Sequence, residues 1–193
     1  VQNMQKNTQD VRQTIIDACL WMNSTGLNQG TSGNVSIRTD EGVLITPSSL
    51  PYEDMTPADV ILLPGDGLSG EAIGPHRPSS EWRFHAAIYK ERADIHSVVH
   101  SHSTYATAMS MLRRDIPSVH YMIGIFGGDS VRCADYAHYG SQALSDNALA
   151  ALKDRTGCLL GTHGMIACGG DLKQALWRAG VLEALCQQYH LAC

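Results

Sequence analysis

The segment Cys158-Leu-Leu-Gly-Thr-His-Gly-Met-Ile-Ala-Cys168 decides the fold class of this 193-residue chain. Two short, mainly apolar runs, residues 158–161 and 165–168, lie on either side of the turn Thr162-His163-Gly164. Short apolar runs next to turn residues are typical of buried strands. A link this short joins antiparallel neighbours, since parallel strands need a crossover of a dozen or more residues. The segment therefore predicts an antiparallel pair of strands inside a sheet.

Helices are predicted on both sides of this strand pair. Residues 141–153 precede it as a helix, and Asp171 is a candidate N-cap for a final helix. Near the N-terminus, residues 8–26 are predicted to form an amphipathic helix, because apolar residues follow one another there at spacings of four, four and three. The stripe of the final helix comprises Leu172, Ala175, Leu176, Ala179 and Leu182. Two more helices are expected at about residues 79–92, with Ser79 or Ser80 as the cap, and 103–112.

Short strands fill the intervals between these helices. They are expected at Val35 and Ile37 after a glycine-rich loop, at residues 43–46 and 60–63, and at residues 97–102. Residues 117–140 are expected to hold short strands and glycine-rich turns. Helices that alternate with strands favour an α/β fold. The sequence predicts a single three-layer α/β/α domain over residues 1–193, with a central, mostly antiparallel or mixed sheet.

Composition narrows the class of partner. The formal net charge is −5 and no Lys/Arg cluster is present, which argues against nucleic acid, since a phosphate backbone demands concentrated positive charge. No apolar run approaches the roughly 18–20 residues of a membrane span. The six cysteines form no C-x-x-C pair, so they are expected to be reduced. A cytoplasmic protein is the expectation.

His100 and His102 are the first candidate metal ligands. They lie two residues apart at the end of the predicted strand 97–102, so their side chains point to the same face. Two imidazoles on one face can chelate one ion, because Zn–N distances are about 2.0–2.1 Å. The spacing alone is equally compatible with two solvated polar residues at a strand end.

His163 is a third candidate ligand. It lies in the turn flanked by Gly161 and Gly164, which allow the backbone to turn sharply and to approach another group closely. Three histidines with an open position are typical of a catalytic zinc site, whereas a structural site has four protein ligands. No role is expected for four other histidines, and two are left open. The first group is His76, His96, His138 and His190; the second is His85 and His120.

Glu81 and its neighbours lie at the start of a predicted helix. A carboxylate there can simply stabilise the helix dipole, or it can serve as a general base beside the metal. Ser79 and Ser80 are candidate N-caps, and with the free N–H groups of the helix start they can also hold a phosphate. The loop of residues 30–34 adds hydroxyl, amide and backbone donors, although it matches neither a Walker loop nor a dinucleotide fingerprint.

Taken together, these segments resemble the class II aldolase/adducin family over nearly the whole chain. The matching segments are Gly26-Leu-Asn-Gln-Gly-Thr-Ser-Gly-Asn-Val-Ser36, Leu44-Ile-Thr-Pro47, Pro78-Ser-Ser-Glu-Trp-Arg-Phe-His85, Val98-Val-His-Ser-His102, Ile116-Pro-Ser-Val-His-Tyr-Met122, Gly127-Gly128, His163-Gly-Met-Ile-Ala-Cys168 and Ala175-Leu-Trp177.

The resemblance implies a zinc-dependent lyase that forms a homotetramer, with active sites between neighbouring subunits. Zinc would be held by His100, His102 and His163, and Glu81 would be the catalytic acid/base. Tyr121 would reach a neighbouring subunit's site and assist proton transfer at the aldehyde oxygen. Contacts to the substrate phosphate would carry over to Thr31, Asn34, Ser48, Ser79 and Ser80.

The reaction implied is reversible cleavage of a ketose 1-phosphate, with L-fuculose 1-phosphate as the expected substrate. The products would be dihydroxyacetone phosphate and the small aldehyde L-lactaldehyde. Zinc would stabilise the enediolate left by cleavage, and phosphate binding would position the substrate. The alternatives are an aldolase for 5-deoxyribulose or 5-methylthioribulose 1-phosphate, a dehydratase on the same scaffold, a 4-epimerase and a metal-free adducin-type module. The epimerases typically have Asp in place of Glu81, and a metal-free module would be expected to lose the histidines.

Two departures from the family pattern stand out. The family commonly has glycine after the residue matched by Ser48, and this chain has Ser49, whose side chain could crowd a phosphate at the backbone N–H. Fuculose-type members carry a second functional tyrosine in a C-terminal tail, and residues 1–193 are expected to lack that tail.

Overall fold

Five α-helices and seven strands form within residues 2–68 and 70–193, the part that the computed structural model describes, with side chains from residue 9 onward. The helices are α1 (Gln2–Ser24), α2 (Trp82–Glu91), α3 (Thr104–Met111), α4 (Gln142–Leu152) and α5 (Leu172–Ala192). The strands are β1 (Asn34–Thr39), β2 (Gly42–Ile45), β3 (Ile61–Pro64), β4 (Ser97–Ser101), β5 (Cys133–Ala134), β6 (Gly157–Leu160) and β7 (Gly164–Gly169).

All seven strands belong to one sheet in the order β3-β2-β1-β4-β7-β6-β5. Five of the neighbouring pairs are antiparallel and one, β5 with β6, is parallel. The predicted mostly antiparallel sheet is therefore confirmed, and so is the β6–β7 pair expected from residues 158–168. The tight turn brings β7 back beside β6, and β7 then pairs with β4 in the middle of the sheet.

Two apolar cores lie on opposite faces of the sheet. Val99 and Met165 face the core shared with α1, α3 and α5. Val98 and Ile166 face the core shared with α2 and α4. Consecutive residues of a strand point to opposite faces, so an unbroken apolar strand such as β7 can supply both cores. This arrangement confirms the predicted α/β/α layers.

The ends of two helices test the predicted caps. Asp171 caps α5 as expected, since its Oδ1 accepts a hydrogen bond of 2.7 Å from the backbone N–H of Gln174. The interpretation of Ser79 or Ser80 as the N-cap of α2 is wrong. The N-cap is Glu81, which makes no capping hydrogen bond, and the hydroxyl of Ser79 accepts from the N–H of Glu81 at 3.3 Å. The carboxylate of Glu81 is thereby left available to the site.

Residues 117–140 contain less strand than expected. A 3-10 helix covers Tyr121–Phe126. The sheet receives from this segment the two-residue strand β5. The side chain of His120, whose role was left open, caps this 3-10 helix by accepting from the N–H of Met122 at 3.1 Å. Within the described residues, no helix combines the length and apolar character needed to cross a membrane. The six cysteines are free, as expected, and four of them are buried.

Candidate active site

Three histidines from two segments of the chain converge near the end of β4. His100 lies in β4, His102 follows the end of that strand, and His163 occupies the β6–β7 turn. The centroids of the three rings are 4.8–4.9 Å apart in every pair. The Nε2 atoms of His100 and His102 are 3.0 Å apart. The predicted strand spacing and the predicted turn histidine thus meet around one point.

Glu81 completes the cluster from the start of α2. Its Oε2 is 3.0 Å from Nε2 of His100, and its Oε1 is 3.2 Å from Nε2 of His163. Ligand atoms of these four residues all lie within 4.8 Å of one another. Oε1 of Glu81 is buried and, among the described residues, has no hydrogen-bond partner. A buried acceptor without a donor is costly, so this oxygen fits a position beside a cation or a substrate proton.

The orientation of His100 also suits a metal ligand. Its Nδ1 lies 2.8 Å from the carbonyl oxygen of Met165, which can only accept, so Nδ1 carries the proton. Nε2 faces the centre of the cluster, where it meets Glu81, and it is the atom that would bind a metal. Nitrogen and carboxylate oxygen ligands, with a histidine fixed by a backbone carbonyl, are a donor set that suits zinc. The residues present therefore fit a divalent metal.

The turn that carries His163 is held by close backbone packing. A Cβ on Gly164 would lie 2.5 Å from the carbonyl oxygen of Ser101, and one on Gly161 would lie 2.8 Å from that of Ala134. Both glycines are thus needed for close approach, as predicted. The left-handed backbone conformation falls instead on Thr162, with φ of 56°. A β-branched residue there is strained, and such strain is typical of functional sites.

Helix α3 connects two of the histidines. It begins at Thr104, two residues after His102, and the N–H groups of Tyr105 and Ala106 in its first turn donate to the carboxylate of Glu183 at 2.9 and 2.8 Å. Near its end, the hydroxyl of Ser110 accepts from the N–H of His163 at 3.2 Å. The helix therefore fixes both ligand-bearing loops, a role the sequence reasoning missed because the contacts are between distant segments.

Burial and mutual charge set the protonation of the cluster. Burial alone would raise the pKa of Glu81, but the adjacent His100 and His163 hold it well below its usual range. Burial opposes protonation of His100, and Glu81 outweighs it, so the pKa of His100 is raised. Burial, and after it the charge of His100, lowers the pKa of His102 and of His163 to about 4. At neutral pH two imidazoles are thus neutral and ready to bind a metal.

His85 of α2, which is fully buried, makes the stability of the metal-free protein sensitive to acid. Burial, and after it the charge of His100, lowers the pKa of His85 to about 3. The unfolded side chain has a pKa of about 6.5, so below that pH the unfolded state binds a proton that the folded state excludes. Stability is therefore lost as pH falls below about 6.5, by up to about 1.4 kcal/mol per pH unit.

We expect His85→Gln to remove this contribution. Between about pH 6 and pH 4.5, the free energy of unfolding of the metal-free variant should fall less steeply, by close to one proton. Urea unfolding at a series of pH values measures the slope. The matched control is His96→Gln, because His96 is exposed and its replacement should leave the slope unchanged. Equal slopes for wild type and His85→Gln would contradict the prediction.

A cavity of about 330 Å³ opens beside the cluster. Glu81, His102 and His163 line it, together with the N-terminal end of α2. Its lining includes all five residues predicted to contact phosphate, which are Thr31, Asn34, Ser48, Ser79 and Ser80. None of the described lining residues is Lys or Arg, so hydroxyls, amides and the helix start supply the polar surface.

The tyrosines that line the cavity are not the one predicted from the sequence. Tyr121 does not line the cavity; the residue is 85% exposed, and its ring lies tilted against that of His120 with the centroids 4.6 Å apart. Two tyrosines that sequence reasoning missed, Tyr136 and Tyr139, do line the cavity. They lie in a loop without periodicity, so no local pattern marked them. Within one chain, the predicted tyrosine and the cavity are separate.

Ser49, where glycine is common in the family, adopts a left-handed backbone conformation with φ of 63°. It lines the cavity next to Ser48, whose N–H donates to the carbonyl of Arg77 at 2.9 Å. A side chain in this region costs about 1 kcal/mol relative to glycine. The departure from the family pattern thus carries a backbone cost, while the crowding of a phosphate stays a prediction.

We expect Ser49→Gly to stabilise the protein. The gain should be about 1 kcal/mol, or about 2–4 °C in melting temperature for a chain of this size. Calorimetry of the metal-free protein measures it. Ser48→Gly is the control, because Ser48 has no positive φ to relieve and glycine there should give no gain. A lower melting temperature for Ser49→Gly would contradict the strain argument.

A cluster of possible metal ligands that includes a buried carboxylate, at the edge of a polar cavity, is the arrangement expected of a metal-dependent enzyme site. The chain belongs to the class II aldolase and adducin family: residues 13–190 match the family described as the Class II Aldolase and Adducin N-terminal domain. By family, fold and site the protein is an enzyme of the aldolase class, which is a class of lyases.

Individual relatives agree in sequence and in structure. The L-fuculose phosphate aldolase of Escherichia coli K12 is 49% identical over 175 residues, which cover 91% of this chain and 80% of that protein. The 5-methylthioribulose-1-phosphate/5-deoxyribulose-1-phosphate aldolase of Rhodospirillum rubrum is 45% identical over 179 residues, 93% and 80% of the two chains. A solved L-fuculose 1-phosphate aldolase superposes with a TM-score of 0.90 at 35% identity, covering 95% of this chain and 86% of its own.

Proposed function

We propose that the protein is a zinc-dependent aldolase that reversibly cleaves L-fuculose 1-phosphate to dihydroxyacetone phosphate and L-lactaldehyde. The observation that carries the proposal is the cluster of Glu81 with three histidines, open to a cavity lined by hydroxyl groups. The similarity to fuculose phosphate aldolases supports the choice of substrate. Fucose degradation would then be the pathway served.

His100, His102 and His163 are the proposed zinc ligands. When bound, zinc would supply Lewis-acid stabilisation of the negative charge that cleavage leaves on the ketose fragment. The orientation of His100 supports this assignment, since the carbonyl of Met165 holds its Nδ1 and leaves Nε2 directed toward the centre. Three histidines with space for further oxygen ligands suit a catalytic rather than a structural metal.

Glu81 is the proposed acid/base. Its carboxylate is ionised and buried, with one oxygen held by Asn34 and the other without a hydrogen-bond partner in the described structure. In the direction of cleavage it would deliver a proton to the carbon that loses its bond to the aldehyde, balanced by the proton that leaves the hydroxyl group which becomes the aldehyde oxygen. In the direction of synthesis it would remove the proton from that carbon. A buried carboxylate oxygen without a hydrogen-bond partner in the described structure suits both steps.

The substrate phosphate is proposed to bind at the α2 end of the cavity. Ser79 and Ser80 lie at the helix start, and Thr31 and Ser48 come from the facing loops. Helix N-termini attract anions through unpaired N–H groups and the helix dipole. Asn34 is also assigned to this group, although its side chain is already engaged inside the protein. Phosphate binding would fix the ketose for cleavage.

A homotetramer is part of the proposal, with Tyr121 acting in a neighbouring subunit's site. The high exposure of Tyr121 and its absence from the cavity lining within one chain support such a role. Its hydroxyl would exchange a proton with the oxygen that becomes the aldehyde. A cytoplasmic location also belongs to the proposal and is supported by the free cysteines.

The test is a coupled assay that detects dihydroxyacetone phosphate from a panel of ketose 1-phosphates. Release from L-fuculose 1-phosphate, abolished by a chelator and restored by zinc, is the expected result. Protein with one zinc per chain that releases dihydroxyacetone phosphate from no ketose would overturn the proposal. Recovery of the C4 epimer instead of the aldehyde would favour the epimerase alternative.

A second candidate is an aldolase for 5-deoxyribulose or 5-methylthioribulose 1-phosphate. The 45% identity to the Rhodospirillum rubrum enzyme favours keeping it. Both candidates share the metal cluster and the phosphate site, and they differ only in the aldehyde released. Cleavage of 5-deoxyribulose 1-phosphate in preference to L-fuculose 1-phosphate in the same assay would select this candidate.

A further inference from the structure

A buried chain of hydrogen bonds runs from Glu81 into the core between β1 and α2. The Nδ2 of Asn34 is 3.1 Å from Oε2 of Glu81, and the Oδ1 of Asn34 is 2.5 Å from Nε2 of His85. On the other side of the ring, Nδ1 of His85 is 2.7 Å from the hydroxyl of Ser36. Tyr89 closes the chain, since its hydroxyl donates to the carbonyl of Ser36 at 2.9 Å.

The fold places these five residues in line. Glu81, His85 and Tyr89 are four residues apart, so they lie along one stripe of α2. Asn34 and Ser36 are two apart on β1 and face that stripe. Asn34 is also directly opposite His100 in the pairing of β1 with β4, which brings the chain to the metal cluster. All five residues are buried, and His85 is fully so.

The charge of Glu81 fixes which group donates and which accepts at each hydrogen bond of this buried chain. An ionised carboxylate only accepts hydrogen bonds, so the Asn34 amide must turn its NH₂ group toward it. The carbonyl of Asn34 then faces His85, and Nε2 of His85 must carry the ring proton. Nδ1 is therefore bare and accepts from the hydroxyl of Ser36. The opposite histidine tautomer would turn the Asn34 carbonyl toward the carboxylate, and two acceptors would face each other.

We propose that His85 is a positioning residue for the acid/base: through its Nε2–H it locks the Asn34 amide in the orientation that holds Glu81. The inference rests on the proposed function for its kinetic part, and on hydrogen-bond geometry for the rest. It gives Asn34 a role different from the predicted side-chain contact to phosphate, because its oxygen is engaged by His85. It also assigns a role to His85.

The ring tautomer of His85 tests the geometry without any activity. In metal-free protein labelled with ¹⁵N-histidine, NMR should show a protonated Nε2 and a bare Nδ1 for His85. The signal is assigned by its loss in His85→Gln. A protonated Nδ1 would overturn the inference, whatever reaction the protein performs. Absence of cleavage with the expected tautomer would instead count against the proposed function alone.

Two substitutions test the kinetic part. His85→Phe keeps an aromatic ring but has no donor, so we expect kcat to fall about 10–100-fold, the usual effect of removing a partner that orients a site group. KM and the zinc content should stay near wild type. His85→Gln can still donate from its amide to Asn34, so it should recover most of the lost kcat. His96→Gln, at an exposed position, is the matched control and should be unaffected.

Comparison of kcat and zinc content between His85→Phe and His85→Gln decides whether His85 positions the acid/base. Wild-type kcat in His85→Phe would overturn the inference, and so would equal losses in both variants together with loss of zinc, since that pattern indicates a merely structural role. If His85→Phe does not fold, the ring tautomer of His85 in wild-type protein decides the inference alone.

Discussion

Glu81→Gln is expected to retain zinc and the phosphate ligand but to lose about 10²–10⁴-fold in kcat, the usual contribution of a general acid/base. Gln has nearly the shape of Glu, and its amide oxygen can still accept from Nδ2 of Asn34, so the buried chain of hydrogen bonds survives. What is lost is the negative charge that accepts the proton. The three histidines keep their places, and the metal content should not change.

The measurement combines steady-state cleavage of L-fuculose 1-phosphate, zinc analysis and calorimetric titration with dihydroxyacetone phosphate. Glu53→Gln is the control, because Glu53 is exposed and its loss also removes one negative charge. An unchanged kcat in Glu81→Gln would remove Glu81 from the proposed mechanism. Loss of zinc from this variant would show that Glu81 is needed as a ligand rather than only as a base.

His102→Ala is expected to abolish both metal binding and turnover. Removing one of three imidazoles leaves His100 and His163 too few to hold zinc, and affinity should fall by more than the 10–100-fold seen when only a ligand's outer partner is removed. The metal-free fold should change little, because burial already works against the charged form of His102. The variant therefore distinguishes a loss of metal binding from a loss of the folded structure.

Thermal unfolding with and without zinc tests this expectation. At a zinc concentration 1,000 times its dissociation constant, wild-type protein should gain about 4.1 kcal/mol of stability. His102→Ala should show almost none of this gain and no cleavage. His96→Ala is the matched control, since His96 is exposed just before the same strand. Retention of one zinc per chain in His102→Ala would overturn the ligand assignment.

Local spacing explains why much of the site could be predicted. His100 and His102 were found because a strand turns residues two apart to one face, and both meet at the cluster. The cap of α5 and the β6–β7 pair follow from equally local rules. The phosphate group of residues was predicted with the help of the family pattern, and all of its members line the cavity.

Other parts of the site depend on contacts between distant segments. Nothing near His85 in sequence indicates that it faces Asn34, because that contact requires α2 to pack on β1. The same holds for Glu183, which reaches the start of α3 from α5. The strain at Ser49 is a backbone property that the residue type alone does not reveal.

The turn segment Cys158–Cys168 shows which features follow from local sequence and which follow from tertiary packing. By itself the sequence determined two buried strands, a tight turn and a histidine at its tip, since residue types and a short link restrict the backbone directly. Only the tertiary structure decided that β7 pairs with β4, and this pairing brings His163 to His100 and Glu81. Strand order comes from the packing of the whole core, to which every helix contributes, and no single segment encodes it.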